Sequence, residues 1–173
     1  MSENKLPTIQ ELHRDKEIGF KQDSLNWLLN QKPITGWVKE HPFAKNVKYV
    51  PIDKVEYLLT KIFGGYQVEV VDYKQLANSV SVHVRLTVIN PIDGSKIVND
   101  GLGAVAIQVD KGESAANLGA IKSDAIMKAL PAAKSYAIKD AAEQLGQLFG
   151  GNLNRKETIS FESHDKIADK WKI

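Results

Sequence analysis

Lys39, Lys45, Lys48 and Lys54 fall in one segment with Trp37, Phe43 and Tyr49. Ammonium groups interleaved with aromatic rings suit a single-stranded nucleic acid: a lysine meets a phosphate and a ring face meets a base. The same residues also fit a plainer reading, in which the rings are core and the lysines are solvated. Other chemistry leaves no constellation. His13, His41, His83 and His164 are far apart, and none stands in a metal-ligand pair such as H-x-x-x-H, so they read as surface or structural histidines. Gly101-Leu102-Gly103 begins like a dinucleotide loop but has no third glycine in place. Neither a G-x-x-x-x-G-K-[ST] phosphate loop nor a G-x-S-x-G elbow occurs. Glu69, Asp72 and Asp93 lack the D…E-x-K spacing of a nuclease and read as solvated carboxylates. The residues favour a binding protein over an enzyme, with no catalytic or metal residue and no cofactor.

Composition sets wide bounds. The chain has 173 residues, 43% hydrophobic and 25% charged, which is ordinary for a globular domain able to bury a core. Its formal net charge is only +2, so an anionic partner needs positive charge that is clustered locally. With no cysteine there is neither a disulfide framework nor thiolate chemistry. The polar start MSENKLPTIQELHRDKE is followed by no apolar run of the signal-peptide kind, and no run is long enough to span a bilayer. A cytoplasmic protein without membrane contact is expected.

The elements that must position these side chains follow from periodicity. Residues 1–20 lack sustained apolar periodicity and are expected to form a flexible arm. Asp23 or Ser24 can cap a helix carrying Leu25, Trp27, Leu28 and Leu29. A loop-like stretch, GWVKEHPFAKNVKYVPID, follows. Val55, Leu58, Leu59 and Ile62 mark a short amphipathic helix, with Asp53 as cap and Gly64-Gly65 as stop. Residues 66–73 read as a strand. Residues 79–89 alternate well: Val80, Val82, Val84, Leu86 and Val88 on a dry face; Ser81, His83, Arg85 and Thr87 on a wet one. Asp93-Gly94 signals a turn into a third strand within residues 96–109. Gly101 and Gly103 within that strand mark a bulge or a close approach by another backbone. A helix is expected over residues 114–129. Pro131 then either starts a second helix or kinks a continuous one. The helical pattern runs to Phe149, with Ala133, Ala137, Ala141, Gln144, Leu145 and Leu148 on one stripe and Gly150-Gly151 as the cap. The expected fold is α+β: an antiparallel β-meander with a long helix packed across the sheet. The domain spans residues 21–153, and residues 154–173 form a polar tail.

Three segments, in order, resemble one family. KYVPIDKVEYLLTKIFGGYQVEVVD resembles a tyrosine-plus-short-helix segment that ends in Phe-Gly before the first long strand. NSVSVHVRLTVINPIDGSKIVNDGLGAVAI resembles a β-meander ending in a glycine-rich strand. KALPAAKSYAIKDAAEQLGQLFGGNL resembles a signature helix of alanines, a lysine and Phe-Gly or Leu-Gly. The family is that of the Rad fifty-two annealing domain and its bacteriophage relatives of the Sak type. The resemblance covers residues 36–153.

The resemblance implies a homo-oligomeric ring or helical filament with an outer basic groove. Single-stranded DNA lies there, backbone inward and bases outward, and complementary strands anneal without ATP or metal, in phage-type recombination and repair. Lys139 falls on the family's DNA-contacting lysine, Tyr49 on its tyrosine, and Lys39 on the basic residue ten before that tyrosine. Asp140 departs, standing where many relatives carry a second cation. Lys134, five residues before Lys139, is read as replacing some of that charge. The candidate DNA-binding residues are therefore Lys39, Lys45, Lys48, Tyr49, Lys134 and Lys139. The tail is a candidate contact for a single-strand-binding protein. A protein that binds single-stranded DNA or RNA to protect it is the alternative; a metal-dependent nuclease near Asp72 or Asp93 is the third reading.

Overall fold

The computed structural model describes residues 9–41, 45–114 and 116–156. A short helix α1 (Ile9–Leu12) packs on α2 (Lys16–Leu29). Helix α2 starts well before Asp23, inside the stretch expected to be a flexible arm. The cause is Asp15, whose carboxylate accepts hydrogen bonds from the Glu17 and Ile18 N–H groups that open the helix. Leu25 and Leu29 are its buried side chains.

The loop-like stretch contains a small ribbon. Strand β1 (Lys39–Glu40) pairs antiparallel with β2 (Lys48–Tyr49). Helix α3 (Ile52–Phe63) buries Val55, Leu58, Leu59 and Phe63, the spacing of one helical face. It begins directly after Pro51, so Asp53 sits inside the first turn rather than at the cap.

The meander is as expected. Strands β3 (Gln67–Leu76), β4 (Ser79–Ile89) and β5 (Lys96–Ala106) form one antiparallel sheet in the order β3-β4-β5. On β4, Val80, Val82, Val84, Leu86 and Val88 are all buried. Each contributes roughly 1.5–3 kcal/mol by leaving water. The wet face carries Arg85, which pairs with Asp100 on β5 through two hydrogen bonds of 2.9 and 3.2 Å. Asn90 closes the β4–β5 turn, receiving the Ile92 N–H on its side-chain oxygen and donating to Gln22 on α2.

Helix α4 (Ala125–Glu143) lies on β4 and β5. It is one helix with Pro131 inside it, so neither a start at residue 114 nor a break at Pro131 is found. Ala125, Ala129, Ala133, Ala137 and Ala141 are buried at four-residue spacing. Gly101 and Gly103 explain the closeness. A Cβ on Gly101 would overlap the Ala137 carbonyl oxygen, and one on Gly103 would overlap that of Ala133. Of the two readings of these glycines, close backbone approach is the one found.

The helix ends at Glu143, not Phe149. Gly146 breaks the pattern: its φ is +149° and its Cα faces the Leu29 carbonyl, where no side chain fits. A separate 3-10 turn, Gln147–Phe149, then returns Leu148 and Phe149 to the core. The expected stripe therefore stops early, and Gln144 is exposed.

Candidate nucleic-acid interface

The site is built where the β1–β2 ribbon, helix α4 and the turn after residue 150 meet. Lys39 and Tyr49, ten residues apart in sequence, are direct cross-strand partners. Such partners place their side chains on the same face of a ribbon. Helix α4 brings Lys139 to that ribbon. Its Nζ lies 4.5 Å from the Tyr49 ring centroid and 4.2 Å from that of Tyr136. A cation held over two rings is worth from about 0.5 to 2 kcal/mol for each. The Tyr136 hydroxyl is 3.3 Å from His41 Nε2, and the His41 ring also stands 6.1 Å from the Tyr49 ring. Three aromatic side chains thus gather at one ammonium group.

Lys139 is therefore not a freely outward cation. Burial pulls its ammonium below its ordinary value, and the Glu143 carboxylate pulls it back up. Glu143, one turn further along, is half-buried. Burial pushes its carboxyl up to about 7, the Asp140 charge adds to the push, and Lys139 and Arg155 oppose it. Lys139, Asp140 and Glu143 line a hollow of about 310 Å³ together with Lys48, Tyr49 and Tyr136.

Two further contacts hold the ribbon in place. Asn154 Oδ1 accepts the Lys48 N–H at 2.7 Å, and Asn154 Nδ2 donates to the Lys48 carbonyl at 2.8 Å. One side chain thereby mimics a paired strand. Asp140 has a similar task on the other side: its Oδ2 accepts the Leu102 N–H of β5 at 2.9 Å. Its carboxylate is committed to the sheet edge, which gives the acid at this position a structural role.

The candidate residues divide accordingly. Lys39 stands across the ribbon from Tyr49, and Lys48, Tyr49 and Lys139 border one hollow. Lys45 is exposed in the turn joining β1 to β2. Phe43 lies outside the described residues. Lys134 does not join the cluster and does not stand in for a missing charge beside Lys139. Five residues carry a side chain roughly 140° around a helix. Lys134 instead borders an apolar hollow with Val70, Tyr73, Leu130 and Pro131. Trp37 and Lys54 form their own contact, Nζ to ring centroid 5.5 Å, with Tyr57 edge-on to the ring.

Sequence reasoning missed His41, Tyr136, Glu143 and Asn154. A signal existed for two of them: Tyr136, Lys139 and Glu143 stand at i, i+3 and i+7, one face of a helix. His41 and Asn154 act across long sequence separations and carried no local signal.

The α+β sheet-and-helix fold thus presents one half-buried lysine among aromatic rings at the edge of its ribbon. The family model of the Rad52/22 family double-strand break repair protein matches residues 18–172, and the chain belongs to that family. Its field is accordingly DNA repair and recombination, with single-strand annealing at the family level. No curated protein matches the chain.

Proposed function

We propose that this protein binds single-stranded DNA and anneals complementary strands without ATP, as a homo-oligomer, in recombination and repair of the bacteriophage type. The observation that carries the reading is the meeting of Lys39, Lys48, Tyr49 and Lys139 from two separate parts of the chain. A weakly charged subunit holding a few cations at one place suits this task. Repetition around an oligomer multiplies weak phosphate contacts along one strand. Contacts to phosphate leave the base edges free to pair.

Assembly is supported by the sheet. On β3, Val70, Val71, Tyr73 and Leu76 are exposed, with Tyr73 at 67%. A long apolar edge strand of this kind calls for a cover, and another subunit supplies one. The protein acts by binding rather than as an enzyme, in the cytoplasm, that of the bacterial host if it is phage-encoded. The tail, whose residues 157–173 lie outside the described residues, is the proposed contact for a single-strand-binding protein.

Mixing two complementary oligonucleotides with the protein in EDTA, without nucleotide, tests the reading. Pairing faster than the spontaneous rate is the expected result. No acceleration at any modest salt concentration refutes annealing. Tight binding to one strand that slows pairing would establish a protecting protein instead.

A further inference from the structure

Glu143 is a carboxylate of the hollow that opposes the proposed ligand. It stands four residues from Lys139 on the same face of α4, half-buried, and among the described residues its carboxylate makes no hydrogen bond or ion pair. The groups around it are known. Helix α4 supplies Tyr136, Lys139 and Asp140; the ribbon side supplies His41, Lys48 and Tyr49; the closing turn supplies Asn154 and Arg155. Asp140 is held by the Leu102 N–H, and Lys139 lies over its two rings. Lys139 makes no ion pair with Glu143, and the Asp140 charge adds to the repulsion there.

A phosphate that seats beside Lys139 enters a space already bordered by this carboxylate. Two anions cannot share a half-buried hollow cheaply, because each disfavours the charged form of the other. A neutral carboxyl removes the repulsion and offers an O–H to a phosphate oxygen. We propose that Glu143 sets the affinity of this hollow for a strand phosphate by taking up one proton as the phosphate seats beside Lys139. The proton comes from solvent, resides on a Glu143 oxygen while the strand is bound, and returns to solvent on release. The proposal rests on the single-strand DNA reading and names the residue that tunes it.

The direction follows from linkage. The free carboxyl titrates at about 7, and a neighbouring phosphate raises that value further. Bound protein therefore holds more protons than free protein above that pH. Affinity is greatest at acid pH and falls as pH rises, by at most about tenfold per pH unit.

The test uses the full chain and an oligothymidine carrying a pH-insensitive rhodamine label. Dissociation constants are measured by anisotropy from pH 6.0 to 8.5 at constant ionic strength. Calorimetry in two buffers of different ionisation enthalpy counts protons on the wild-type protein, independently of any variant. Net proton uptake near pH 8, and a flat profile for Glu143→Gln, are expected. Zero uptake with pH-independent binding overturns this proposal alone. A profile that survives in Glu143→Gln but disappears in His41→Gln or Lys139→Arg also overturns it, assigning the proton elsewhere. No binding by the wild type at any pH overturns the DNA reading and this proposal with it.

Discussion

Gly101 of β5 lies directly beneath Ala137 of α4, so close that a Cβ on the glycine would overlap the Ala137 carbonyl oxygen. The strand and the helix meet backbone to backbone. This approach sets the height of α4 above the sheet, and with it the position of Lys139 relative to the β1–β2 ribbon.

Gly101→Ala or Gly103→Ala must lift the helix or distort the strand. Overpacking of this kind costs typically ~1–3 kcal/mol. Urea denaturation should show a lower midpoint for either variant. Gly36 has nothing within 4 Å of an added Cβ, so Gly36→Ala should change stability by less than about 0.5 kcal/mol. Equal effects at all three positions would contradict the close approach.

Lys39→Ala and Lys139→Ala should each weaken binding to single-stranded DNA of every sequence alike. The dependence of affinity on salt should fall by roughly one counterion for every phosphate that is no longer neutralised. Lys134→Ala, placed beside Tyr73 and Pro131, should leave that slope unchanged. Titrations at several salt concentrations distinguish the three.

Asn154→Ala removes both hydrogen bonds to the Lys48 backbone. The net cost should be about 1–2 kcal/mol. Limited proteolysis should then cut the β1–β2 ribbon sooner than in the wild type, and DNA affinity should drop with it. An unchanged cleavage rate would show that Asn154 does not hold the ribbon.

The free protein should lose stability as pH rises through the Glu143 titration. The carboxyl stands at about 7 in the folded chain against an ordinary 4.5. Between those values the folded state holds more protons than the unfolded state, so the contribution is full below 4.5, declines through the window and is gone above 7. Thermal melts should therefore place Glu143→Gln above the wild type at pH 8, relative to their order at pH 4. A difference that does not move with pH would refute this.

Tyr73→Lys or Val71→Lys puts a charge on the exposed apolar strand β3. Size-exclusion chromatography with light scattering should find smaller assemblies than for the wild type. A retained mass would remove β3 from the subunit interface.

Much of the fold was legible because it repeats. The alternation on β4 spans eleven residues and the α4 alanines recur every four, so single irregular residues could not hide either pattern. The ends of helices were harder. Asp15 starts α2 through one carboxylate, and Gly146 ends the α4 region through one φ angle, and neither makes a pattern. The site divided in the same way. Lys39 and Tyr49 were linked by the family resemblance, and the ribbon makes them a cross-strand pair. Asn154 reads as the first residue of a polar tail, because its partner Lys48 lies 106 residues away. Asp140 reads as a missing cation only beside the family pattern, and its bond to Leu102, which crosses 38 residues, leaves no local signal.

The polar side chains of α4 and its C-cap also limit how copies can join. Asp140 accepts the Leu102 N–H, and Gln144 donates to the Asp100 carbonyl at 2.6 Å, so two outward backbone groups of β5 are spoken for. Strand β3 has no such guard from outside its own hairpin: among the described residues, its carbonyls take side-chain bonds only from Ser79 and Ser81 of β4, at Leu76 and Lys74. A sheet with one guarded margin and one open margin can be extended by main-chain pairing on a single side only. Two copies pairing β3 to β3 would satisfy each other and stop at a closed two-fold pair. Growth past two subunits must therefore seat β3 against some other surface of its neighbour, which turns sheet propagation from a hazard into a limit on assembly.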